Sequence, residues 1–127
     1  MKVSHKQLSA VLELSGQQRL EYFVKVVADW QEVWGLYLDG WALAATDDGV
    51  PVFPLWPAKE YAQVCAEGEW KGYEPRSISL DDLMRVLLPK LRSDAVLPGV
   101  FPTPTSRGVT PSVEEFMLAL EAQLEQY

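Results

Sequence analysis

The sequence predicts an α+β fold: a small, mostly antiparallel sheet of about five strands packed with five helices, in the order ααβββαβαβα. Three observations point there. Apolar residues recur at helical spacing in the first thirty positions and again after Pro57, Ser79 and Pro111. Between Trp34 and Leu55 they alternate, and turn signals stand at Asp39-Gly40 and Asp47-Asp48-Gly49. Strands and helices also mingle without the strict alternation of a doubly wound sheet.

The elements follow in order. Ser4 with Gln7, and Ser15 with Gln18, fit the capping box that opens a helix. Leu20, Phe23, Val24 and Val27 give the second helix a buried face, which Tyr22, Val26 and Trp30 widen. Trp34, Leu36 and Leu38 alternate outward from it, and Trp41, Leu43 and Ala45 return, so Trp34 and Trp41 are expected to pair across the strands. Val50–Leu55 completes a contiguous three-stranded meander. Pro51 and Pro54 lack ladder donors, which predicts an edge or an irregular strand there.

Pro57 suits the first turn of a third helix, with Ala58, Tyr61, Ala62 and Cys65 on one face and Gly68 as its stop. Tyr73–Ser77 reads as a strand. Ser79 with Asp82 caps the next helix, where Leu80, Leu83, Met84, Leu87, Leu88 and Leu91 share a side and Leu87 sits mid-stripe. Pro89 is expected to kink that helix. Val96–Phe101 is a last strand, Pro102, Pro104 and Gly108 mark a loop, and Thr110-Pro111 opens a terminal helix.

A chain of 127 residues, with 48% hydrophobic and 23% charged side chains, is expected to form a single folded domain over 1–127. It holds no apolar run long enough to span a membrane and no secretory leader pattern, which predicts a cytoplasmic protein. The net charge of −7 is uneven. Residues 31–70 carry seven acids against Lys59 alone. Such a field repels phosphate backbones and attracts cationic partners, so nucleic acid and membrane are not expected partners.

Side chains that do recognisable chemistry are scarce. One Cys65 and one His5 cannot supply a structural zinc site, and no phosphate-binding or nucleophile motif occurs. The sequence therefore predicts no catalytic residue, no metal and no cofactor. Cys65 reads as a buried structural thiol and His5 as a surface residue. Asp47-Asp48 and Asp81-Asp82 are explained by a turn and a helix start.

The tryptophans carry the functional expectation. Trp56, Tyr61 and Trp70 stand near Asp47, Asp48 and Glu60 in the acidic half, and these six are the candidate partner-binding residues. Aromatic rings beside carboxylates suit a protein–protein surface; they equally suit seals between helices and sheet. The leading expectation is a non-enzymatic regulatory or immunity-type module that binds another, basic protein. The alternative is a small-molecule-binding or enzymatic domain with a pocket where Trp56, Tyr61 and Trp70 converge. A homodimer through the third strand or the terminal helix is a third reading.

The runs DWQEVWGLYLDGWALAATDDG, PLWPAKEYAQVCAEGEW, SISLDDLMRVLLPKL and VFPTP resemble the bacterial family domain of unknown function 2750, from about Leu8 to the last helix. Trp56-Pro57 followed by Tyr61-Ala62 and Trp70 is the most specific piece. The resemblance implies no activity, cofactor or catalytic residue. The order of turn, Val52-Phe53-Pro54, helix and Leu80-Asp81-Asp82-Leu83 is more loosely similar to the N-terminal domain of enhanced-serine-sensitivity (SseB-like) proteins, which implies a protein-associating domain.

Overall fold

The computed structural model describes residues 3–126. Ser4 and Ser15 start helices α1 (His5–Leu12) and α2 (Gly16–Trp30). At Ser15 the capping box is complete, with Gln18 answering the cap N–H. At Ser4 it is half made: the hydroxyl accepts from Gln7 N–H, but the Gln7 side chain donates to the Tyr22 hydroxyl at 3.0 Å instead. The expected α2 stripe is inward, with Phe23, Val24, Val26 and Val27 buried, while Trp30 at the helix end is exposed.

The period-two region forms strands β1 (Glu32–Tyr37), β2 (Ala44–Ala45) and β3 (Pro51–Leu55), but not one contiguous meander. β1 pairs antiparallel with β4 (Glu74–Ser79), Val33 opposite Ile78. β2 pairs antiparallel with β3, and β3 runs parallel to β5 (Leu97–Val100), Val52 opposite Leu97. Two small sheets therefore replace the single one expected. They are stitched by one bridge, where Trp34 and Trp56 exchange N–H to C=O bonds of 2.8 Å in both directions.

The cause lies at Trp41. Its ring packs edge-on to Tyr37 at 5.3 Å and against Phe53 at 5.6 Å, rather than onto Trp34. It rests over Gly35, where a Cβ would lie 2.9 Å from the ring. Ala42 N–H still reaches Leu36 C=O at 2.8 Å, but the inward parity then slips by one. Ala42 is buried and Leu43 is 53% exposed, the reverse of the expected alternation.

β3 is central in its sheet, not an edge, and its prolines are accommodated locally. Leu55 C=O accepts from Phe101 N–H, so Phe53 and Leu55 face β5 while Pro54 faces the other flank. There β2 has already ended opposite Val52. Pro51 pairs with Ala45 and precedes the start of the β5 register at Val52. Neither position asks for the missing N–H.

Helix α3 (Lys59–Ala66) starts two residues after Pro57, with Ala58 as its cap, so Pro57 stands before the first turn and not in it. Ala58, Tyr61, Ala62 and Cys65 are all buried. Residues 80–93, α4, form a helix in three pieces: an α turn Leu80–Asp82, a π-helical stretch Leu83–Leu87 and an α piece Leu88–Ser93. Leu88 N–H reaches back five residues to Leu83 C=O, just ahead of Pro89, which cannot donate at all. The π turn absorbs the proline and advances the inward face by one position. Leu80, Leu83, Leu88 and Leu91 are therefore buried, while Leu87 is only half-buried. We expect Leu88→Ala to cost about 2 kcal/mol and Leu87→Ala less than about 1 kcal/mol, as read by urea denaturation. Equal losses would contradict the shifted face.

The terminal helix α5 (Val113–Leu124) opens on a full capping box from Ser112 and Glu115, which the sequence reading placed at Thr110-Pro111. Hydrogen bonding to Ser112 holds the Glu115 carboxyl below the ordinary glutamate range. This end of α5 is thus supported at neutral pH and loses that support as pH falls through the acid range. Phe23, Leu36, Leu55, Trp56, Tyr61, Leu83, Phe101, Phe116 and Leu120 form one continuous core between helices and sheets. Among the described residues no helix is long and apolar enough to cross a membrane.

Candidate functional site

After β5 the chain runs through the buried Phe101, Pro102 and Thr103 to an exposed tip and returns at Val109, which exchanges backbone hydrogen bonds with Val100 in both directions. Phe101 sits at φ 62°, a left-handed conformation that costs free energy in a residue other than glycine. Gly108, at φ 77°, passes so close to the outgoing strand that a Cβ would lie 2.6 Å from Val100 O. Between them Thr103 and Ser106 exchange backbone hydrogen bonds of 2.8 and 3.2 Å, with Pro104 and Thr105 at the exposed tip.

Three buried donors hold this loop. Trp56 Nε1–H donates to Pro102 O at 2.8 Å, and Cys65 Sγ–H reaches the same oxygen at 3.4 Å. Arg19 is 4% exposed and donates to Phe101 O, to Leu14 O and, at 2.7 Å, to Ser106 Oγ. None of its partners is an anion. Burial pulls its guanidinium below the usual arginine range. Burial likewise pushes the Cys65 thiol up to about 11, which suits a structural and not a nucleophilic group.

The loop forms one wall of an open groove of about 580 Å³. The opposite wall is β2 and the turn after it, from Ala44 to Asp47, and Val52 and Pro54 of β3 also line it. Trp70 and Glu69 close one side. Asp47 pairs with Arg107, tying the two walls. The lining combines apolar floor, four threonines, Ser106 and two carboxylates. It contains no histidine, cysteine or lysine. Such a surface can hold a ligand by hydrogen bonds, apolar contact and charge, and it offers no conventional general base apart from the carboxylates.

The six candidates from the sequence separate. Asp47 and Trp70 line the groove, and Asp48 stands exposed in the adjoining turn. Trp56 and Tyr61 are both 0% exposed and present no surface to a partner. Trp56 meets Trp70 edge-on at 5.9 Å, while Tyr61 packs on Phe101 at 4.8 Å and shares a 3.0 Å hydroxyl contact with Tyr22. The space where a pocket was expected between Trp56, Tyr61 and Trp70 is thus occupied by rings. Burial and the Tyr22 contact push the Tyr61 hydroxyl well above the usual tyrosine range. Glu60 is half-buried, accepts from Val3 N–H at 3.5 Å and lies outside the groove.

Arg19, Glu69, Thr103, Ser106 and Arg107 were not among the candidates. Arg19 did leave a signal, since it stands four residues before Phe23 on an apolar helix face. Glu69 and Arg107 lie beyond any local pattern, because the groove joins turns remote in sequence. Among the described residues no group of three or more His, Cys, Asp or Glu is placed to hold a metal ion.

The chain belongs to the DUF2750 family, described as a protein of unknown function, whose model matches residues 20–120. No curated protein and no solved structure matches the chain.

Proposed function

We propose that this member of the family is a non-enzymatic binding module of the cytoplasm, regulatory or immunity-type, whose groove beside the 101–108 loop receives a basic protein partner. The observation that carries the reading is the groove itself. It is open, takes one of its walls from the acidic 31–70 stretch, and is walled opposite by a loop that a buried arginine and a buried tryptophan hold in place. A pre-organised wall lowers the ordering cost of association. Asp47 and Glu69 on the rim, with Asp48 beside them, outnumber Arg107, and the net negative charge favours a cationic partner and should act chiefly on the rate of encounter. The free thiol of Cys65 is in keeping with a reducing compartment.

The test is to compare the wild type with the triple variant Asp47→Asn, Asp48→Asn, Glu69→Gln in pull-downs from the source cell at low and high salt. A specific partner recovered by the wild type should associate about tenfold more slowly with the variant, and high salt should erase the difference. A partner that binds both proteins with the same rate and salt dependence would exclude this groove.

A further inference from the structure

We infer that the 101–108 wall of the groove forms a carboxylate-binding corner, in which Ser106 and Thr103 donate to the ligand and the buried Arg19 cation supports them from behind Ser106. This goes beyond the docking of a basic partner and holds whether or not one docks, because it concerns what this wall itself accepts.

The first observation is a cation without a counter-ion. Arg19 is 4% exposed, yet it takes part in none of the ion pairs among the described residues. A charge so deep ordinarily has an anionic partner. Its three acceptors are neutral, and one of them, Ser106 Oγ, belongs to the groove lining. The cation therefore meets the groove through a single hydroxyl.

Hydrogen-bond counting fixes which way that hydroxyl works. Ser106 Oγ accepts from Arg19 Nη2 at 2.7 Å and from Gly108 N–H at 3.2 Å. Both lone pairs are then used, and only the O–H remains, as a donor. Thr103 Oγ1 accepts from Thr105 N–H at 3.3 Å and keeps its O–H as well. Among the described residues neither O–H has an acceptor. The wall thus has donors to offer and calls for an acceptor. An oxygen bonded to the Ser106 O–H would stand within about 5.5 Å of Arg19 Nη2, near enough for the cation to favour a negative charge there. Donation by a guanidinium also strengthens the bond that the hydroxyl makes onward.

The rest of the lining decides which anion. Asp47 and Glu69 repel a second negative charge, which disfavours a phosphate dianion and leaves a carboxylate. Arg107 neutralises Asp47 in a pair whose side chains are 73% and 90% exposed. A pair so exposed contributes little, so Arg107 can turn to a ligand at small cost. Ala44, Val52 and Pro54 supply apolar surface for the part of the ligand behind its carboxylate. Such a carboxylate has two chemical sources, a small free acid and the C-terminus of a chain.

The probes are acetate, acetyl-trialanine and acetyl-trialanine amide, titrated into the intact protein at constant ionic strength and followed by NMR. Acetyl-trialanine should shift the Thr103, Ser106 and Gly108 amides saturably, with a millimolar Kd. It should also move the Arg19 Nε–H resonance, which an arginine serving only to hold the loop would not show. The amide should bind at least about tenfold more weakly. Ser106→Ala and Arg107→Gln should each weaken binding of the acid by about fivefold to tenfold, while Ser106→Thr, which keeps the hydroxyl, should retain it. Ser106→Ala leaves Arg19 its bonds to Phe101 O and Leu14 O, and Arg107 is exposed, so both variants should stay folded. Acetate binding as tightly as the peptide acid supports the corner as a site for small free acids. A peptide acid at least about tenfold tighter than acetate supports it as a site for chain ends. The inference is overturned by the absence of a saturable shift, by an amide that binds equally, by methyl phosphate binding more tightly than acetate, or by unchanged affinity in both Ser106→Ala and Arg107→Gln.

Discussion

Trp56→Ala is expected to destabilise the protein by about 3–5 kcal/mol, the largest loss for any single side chain considered. Trp56 is 0% exposed, and its ring is the largest fully enclosed one. Its removal leaves a cavity facing Trp70, which meets it edge-on at 5.9 Å. It also strands Pro102 O, which loses a 2.8 Å indole donor and keeps only the weak Cys65 thiol at 3.4 Å. Trp56→Phe separates the two effects: it keeps most of the bulk, loses the N–H, and should cost about 1–2 kcal/mol. Urea denaturation of both variants checks this. An alanine variant within 1 kcal/mol of the wild type would mean that Trp56 does not anchor the core as described.

Arg19→Met is expected to cost about 2–3 kcal/mol, because the buried Phe101 O and the partly buried Leu14 O and Ser106 Oγ lose their donor together. Relief of the desolvated cation offsets part of that loss, which is why the figure stays near the cost of one or two stranded groups. Arg19→Lys should rescue little, since one ammonium cannot reach Phe101 O, Leu14 O and Ser106 Oγ at once. Hydrogen exchange should show a local signature as well. Amides of Thr103, Ser106 and Gly108 should exchange faster in Arg19→Met, while those of β1 and β4 keep their rank. Uniform acceleration throughout the chain would mean that Arg19 serves the core and not the loop.

The helices were legible because their signals are local. Ser15 with Gln18 predicts a cap that the structure completes, and Phe23, Val24 and Val27 predict a face that it buries. The order of elements was legible for the same reason. Strand pairing was not, because it depends on what a side chain finds across space. Trp41 reads as one more alternating residue, yet its ring settles over Gly35 and Phe53 and shifts the parity after it. Pro89 announces a disturbance in α4, but not that a π turn would absorb it, keeping Leu88 in the core and leaving Leu87 only half-buried. Of the groove, Asp47 and Trp70 stood out in the sequence, with Asp48 in the adjoining turn. Its far wall did not, since the 101–108 loop owes its place to Arg19 and Trp56, remote from it along the chain.

The split of the sheet bears on how the chain reaches its native state. Val33 finds Ile78, and Val52 finds Leu97, each at a sequence separation of 45 residues. A contiguous meander would have closed short loops early. Here both principal ladders wait for large loops to close, so entropy is lost before pairing returns it. During synthesis β1 leaves the ribosome well before β4 exists, and β3 well before β5, and for that interval the edges that await them are bare. Folding of this chain therefore belongs with the slower, long-range-ordered domains, in milliseconds to seconds and not microseconds, although half its elements are helices. The newly made N-terminal half is also the stage most open to mispairing.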